Sequence, residues 1–171
     1  MFHSSTLREF STLTNVQELF IDDLDIPSFI PGIQRYFGQF SPTLRSLTLR
    51  EPKGPDRQVV FFIGLFPHLK DLELRSSRLP QKESTGDLEL VPPSVPPLRG
   101  RLTGRYFGGA GLAKAMISLF GGVQFSHMDL SSMDGAQRLL YACANTLETL
   151  QLSVLNLRGE RVSSKGIYGF G

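Results

Sequence analysis

An α/β solenoid, one short unit stacked on itself, is predicted by three features of this 171-residue chain. The first is a recurring spacing, L-x-x-L-x-L. It reads VQELFI from Val16, LRSLTL from Leu44, LKDLEL from Leu69, FSHMDL from Phe125 and LETLQL from Leu147, with a weaker copy, RGRLTG, from Arg99. The second is clean alternation within the copies (LRSLTLR, LKDLELR, LETLQLS), which gives each strand one apolar and one polar side. The third is a set of apolar residues at helical spacing between the copies.

The five intervals from Val16 to Leu147 give a mean period of about 26 residues, inside the roughly 20 to 29 of leucine-rich repeats. Such a solenoid has parallel strands on its concave face and, here, irregular helices on its convex face. In the first unit Leu19 and Ile21 point inward while Glu18, Phe20 and Asp22 point outward, and Val16 sits at the bend into the strand. The apolar set runs on to Leu24 and Ile26, as it does from Leu147 to Leu155 and Leu157. The position most often held by Asn in such repeats is Leu24, Ser77 or Leu155, so these units are irregular.

Four stretches have helical spacing. They hold Phe29, Ile30, Ile33, Tyr36, Phe37 and Phe40; Val59, Phe62, Ile63 and Phe66; Leu112, Ala115, Met116, Leu119 and Phe120; and Leu139, Leu140 and Cys143. Their aromatic residues read as wedges between strand and helix layers rather than as a cofactor pocket. Strand-helix alternation also suits a doubly wound nucleotide-binding fold. Strands covered on both faces, however, read as unbroken apolar runs. The alternation here requires one wet face, and an open stack is the better match.

The pattern breaks between Leu79 and Leu98. Residues 80–97 are polar and then proline-rich, a long loop in place of an outer helix, with a short strand conceivable at 88–90. Its PSVP satisfies P-x-x-P, a spacing that aromatic grooves accept and that loops often carry without function. Gly104 weakens the following strand. Residues 160–171 are polar and glycine-rich and are expected to form a flexible tail. The whole chain is read as a single repeat domain, and its bare ends suggest a section of a longer array.

Composition excludes several functions. A net charge of +2 with scattered basic residues argues against nucleic acid as a partner. One cysteine, Cys143, permits no internal disulfide. Its place on an apolar helix side predicts a buried, unreactive thiol. The longest apolar run, VVFFIGLF at 59–66, is far short of the roughly 18 to 20 residues of a membrane helix, and MFHSSTLREF lacks a secretory pattern. A soluble protein of the cytoplasm or nucleus, without membrane contact, is the expectation.

Chemistry is sparse. His3, His68 and His127 have no metal-site spacing. Ser126, His127 and Asp129 could be drawn as a triad, but strict alternation would turn Ser126 away from His127. GGAGLAK at 108–114 opens a helix yet fails both the Walker and the dinucleotide patterns. A helix start can hold an anion through its free amides, although a tight turn into the helix explains the glycines as well. No catalysis and no cofactor are expected.

The outward strand residues remain as a protein-binding surface. Its candidates are Phe20, Asp22, Arg50, Glu73, Arg75, His127, Asp129 and Gln151. Arg50 and Arg75 would stack on neighbouring strands and repel unless something negative is near. That role falls to Asp22, Glu51, water or a ligand's acidic group. Phe20, apolar yet outward, is a candidate anchor.

The chain resembles the leucine-rich-repeat region of fungal F-box-like proteins. The resemblance is carried by FSTLTNVQELFIDDLDI, FSPTLRSLTLREPKG, FPHLKDLELRS, VPPLRGRLTG and ANTLETLQL, and spans about residue 7 to about residue 165. It implies a substrate-recognition surface of a ubiquitin ligase complex, with no catalytic or cofactor residues. In that family an N-terminal F-box binds a Skp-type adaptor, and no F-box precedes the repeats in this sequence. Adaptor binding is therefore expected only if an F-box lies upstream. The alternative expectation is a truncated structural fragment with no independent activity.

Overall fold

The computed structural model describes residues 13–26, 37–76, 97–105, 109–119, 122–131, 135–155 and 161–164. Alternating sequence becomes strand at every copy: Glu18–Asp22 (β1), Ser46–Arg50 (β2), Asp71–Arg75 (β3), Leu98–Arg105 (β4), Val123–Leu130 (β5) and Thr149–Leu155 (β6). All six lie parallel in one sheet whose strand order is the order of the chain. The order never reverses, so the sheet lacks the switch point of a doubly wound fold.

The register carries each copy onto the next. Leu19, Leu47, Leu72, Leu102, Met128 and Leu150 form one row across the sheet, and Ile21, Leu49, Leu74, Gly104, Leu130 and Leu152 form the next. Leu47, Leu49 and Leu102 are fully buried, while Leu19, Leu150 and Leu152, on the first and last parallel strands, are only half-buried. Each inward leucine needs a neighbour on both sides, and among the described residues the outer strands supply fewer. Full burial of one such side chain contributes roughly 1.5–3 kcal/mol.

Among the described residues three helices cover that apolar side: Asp56–Gly64 (α1), Gly109–Leu119 (α2) and Ala136–Ala142 (α3). Asp56 in the first turn of α1 suits the positive end of the helix dipole. α1 packs on α2 and α2 on α3. Val59, Phe62, Ile63, Met116 and Leu139 from these helices join the strand leucines in a single core. The wedge role of the aromatics holds for Phe37, Phe40, Phe62 and Phe66. Phe37 meets Phe62 edge-to-face at 5.1 Å, and Phe62 meets Phe66 at 5.4 Å. Phe40 closes a 3-10 turn, Gly38–Phe40. Phe29, Ile30, Ile33, Tyr36 and Phe120 lie outside the described residues.

Backbone bonds repeat with the sequence. The Gln17 carbonyl accepts from the amides of Arg45 and Ser46 at 2.8 and 2.9 Å, and the Arg45 carbonyl accepts from Lys70 and Asp71 at 2.7 and 3.0 Å. At the strand exits Asp23, Glu51 and Ser76 donate to the carbonyls of Arg50, Arg75 and Arg105. Asp23 and Glu51 take the same left-handed conformation, φ 57° and 48°, at equivalent places. Identical bonds at identical positions show one local conformation used twice over.

The expected tail differs in part. Arg161–Ser164 forms β7, antiparallel to β6, with Val154 opposite Val162. An edge strand leaves a row of amides and carbonyls without partners, and a returning segment satisfies them. Residues 165–171 lie outside the described residues, as do 77–96, which hold most of the proline-rich segment, including 88–90 and PSVP.

Candidate partner-binding face

Every second residue of the parallel strands leaves the core, and the register sorts these side chains into three rows. The first holds Glu18, Ser46, Asp71, Arg101, His127 and Thr149, and the second holds Phe20, Thr48, Glu73, Thr103, Asp129 and Gln151. The third, along the C-terminal rim, runs Asp22, Arg50, Arg75 and Arg105. All eight candidates from the sequence therefore share one face. Phe20 is 59% exposed, a large apolar side chain in water.

The charges on this face are paired in a pattern the sequence only half suggests. Asp22 lies 3.6 Å from Arg50, as expected from their adjacency. Arg75 is answered from its own strand, its Nε donating to Glu73 Oε1 at 2.7 Å. That hydrogen bond, and next the charge of Glu73, raise the Arg75 pKa further above its ordinary value. Arg105 donates from Nη2 to Asp129 Oδ2 at 2.9 Å. The other oxygen of Asp129 is buried, with no hydrogen-bond partner among the described residues.

Arg101, Thr103 and Arg105 are the residues that sequence reasoning missed. The weak copy at Arg99 obscured their strand, although the alternation R-L-T-G-R carries the signal. Gly100 explains the irregularity. Its φ is +90°, and a Cβ there would stand 2.1 Å from the Lys70 carbonyl oxygen, so only glycine lets Arg101 N reach that oxygen at 2.7 Å.

The placement of Ser126 is a correction. The β4–β5 register shifts between Gly100 and Arg101, so strict alternation fails just where it was assumed. Ser126 Oγ lies 2.8 Å from His127 Nδ1 and 3.3 Å from the Gly100 carbonyl. The carboxylate of Asp129 is turned to Arg105 instead, so among the described residues the pair has no orienting acid as a Ser-His-Asp site requires.

Cys143 is a free, fully buried thiol whose Sγ faces the Val123 carbonyl at 3.5 Å. Burial pushes its pKa up, against smaller opposing hydrogen bonds involving Phe125 and Thr146. Among the described residues no three His, Cys, Asp or Glu side chains group as metal ligands. No described helix is long and apolar enough to cross a membrane. A small depression opens beside the rim between Pro52, Gly54, Leu74, Arg75 and Leu112. Comparisons with protein-family models, with curated proteins and with solved structures return no match to this chain.

Proposed function

We propose that this chain is a leucine-rich-repeat scaffold whose exposed sheet face, the concave side of the solenoid, holds a protein partner. The target-selecting part of an F-box ubiquitin ligase complex in the cytoplasm or nucleus is the specific form of that reading. A Skp-type adaptor enters only through an F-box encoded upstream. The observation that carries the proposal is the sheet itself: six parallel strands in chain order, with helices packed on one face and three rows of outward side chains, polar apart from Phe20, on the other. An exposed aromatic within such a surface is the kind of residue that anchors interfaces.

The test compares two pairs of variants in pull-downs from extracts of the source cells. Phe20→Ala and Arg75→Ala alter the sheet face, while Arg138→Ala and Tyr141→Ala alter the exposed side of α3. Loss of the captured protein in the first pair alone supports the face as the binding surface. Loss only in the second pair refutes it.

The half-buried state of Leu19, Leu150 and Leu152 favours a second reading, a structural fragment without activity of its own. That reading predicts binding of a hydrophobic dye and self-association, and a monodisperse monomer that binds no dye counts against it.

A further inference from the structure

Resting on the reading of the sheet face as a binding surface, we propose that the partner docks through a short acidic protein segment. Two or three Asp or Glu residues of that segment lie across the arginine rim. Arg50, Arg75 and Arg105 stand in register on three consecutive strands. Parallel strands are spaced about 4.8 Å apart, so the three positions fall within about 10 Å of one another. Each is already answered by a carboxylate, so what the row offers a ligand is its remaining guanidinium donors.

The existing carboxylates orient these arginines and leave donors over. Glu73 holds Arg75 through Nε alone, and no hydrogen bond among the described contacts occupies its Nη1 or Nη2. Those two nitrogens form the fork that grips a carboxylate with two parallel bonds. Asp22 stands 3.6 Å from Arg50, beyond hydrogen-bond distance, and both side chains are about half exposed, at 50% and 55%. Asp129 engages Arg105 through Nη2.

The same face excludes a long polyanion. Glu18, Asp22, Asp71, Glu73 and Asp129 all lie on it, and the net charge of the chain is only +2. The basic row begins beside Asp22, and on β6 the matching position is Ser153. A nucleic acid backbone would overrun the arginines onto carboxylates, and it is usually met by a wider basic patch. Two or three carboxylates match the length of the row.

The experiment follows the arginine Nε–Hε signals of the full chain by NMR during titration with acetyl-Gly-Glu-Asp-Glu-Gly-amide. The amide counterpart, acetyl-Gly-Gln-Asn-Gln-Gly-amide, is the control. The proposal expects saturable shifts of Arg50, Arg75 and Arg105 with the acidic peptide only. It expects Arg75→Gln to weaken binding by about tenfold or more, and Arg75→Lys to recover part of it, because a lysine keeps the charge without the fork. Backbone amide spectra confirm that both variants fold. Absent shifts, equal shifts with the amide peptide, or tighter binding of a short single-stranded DNA at the same arginines would each overturn the proposal. If the peptide fails while Phe20→Ala still abolishes capture in the pull-down, the acidic segment is refuted and the binding face stands.

Discussion

A hydroxyl placed just before the first leucine of a unit ties that unit to the one before it. Thr43 Oγ1 donates to the Val16 carbonyl at 2.8 Å, and Thr146 Oγ1 donates to the Phe125 carbonyl at 3.2 Å. Replacing either by valine keeps the shape and removes the bond, and should cost about 0.5–1.5 kcal/mol in urea unfolding. Gly100→Ala should cost more, because strain at positive φ alone is roughly 1–3 kcal/mol and the Lys70 carbonyl blocks the new methyl. The same glycine marks where reading by alternation ended. Phe20, Arg50 and Arg75 could be placed outward from L-x-L spacing alone. Arg101 and Arg105 were hidden because glycines at 100 and 104 broke the motif. Ser126 was misplaced because a register shift has no marker in a single strand's residues.

Cys143 gives a prediction with a definite sign. Its folded pKa is raised, so the thiol favours folding fully below its ordinary value of 9.0, and that contribution fades as pH rises through the folded value. The urea midpoint should therefore fall between pH 8 and pH 10 by more in the native chain than in Cys143→Ala. The difference between the two chains isolates the thiol from the lysines and tyrosines that also titrate there.

At the scale of the element, what decides the cost of a leucine is which strand carries it. Leu49→Ala and Leu102→Ala remove side chains enclosed on both sides and should cost about 2–5 kcal/mol, whereas Leu150→Ala on half-buried β6 should cost clearly less. Chemical denaturation of the three variants orders them. The strands other than β4, and α1, α2 and α3, were legible because apolar period separates them cleanly, two residues in LRSLTL and three to four in Val59, Phe62, Ile63 and Phe66. β7 was not legible. RVSS is too short and too polar to show a period, and its pairing answers the needs of a neighbouring strand rather than a preference of its own.

At the scale of the molecule, each parallel strand of the described residues contacts chiefly the strands beside it in the chain. Stability then concentrates where both neighbours are present. Amide exchange should be slowest in β2 to β5 and faster in β1 and β6, where Leu19, Leu150 and Leu152 are only half-buried. The proposed binding face follows from the same geometry, since side chains that leave the core on parallel strands must line up in rows. The measurement closest to this point is disulfide cross-linking between β2 and β3 in a chain carrying Cys143→Ser. Ser46 lies beside Asp71 in the parallel register and a strand's length from Arg75. The pair Ser46→Cys with Asp71→Cys should oxidise readily, since neighbouring strands meet the span a disulfide needs. The pair Ser46→Cys with Arg75→Cys should stay reduced. Oxidation of the second pair and not the first would mean that the strands run antiparallel, and the stacked arrangement would be wrong.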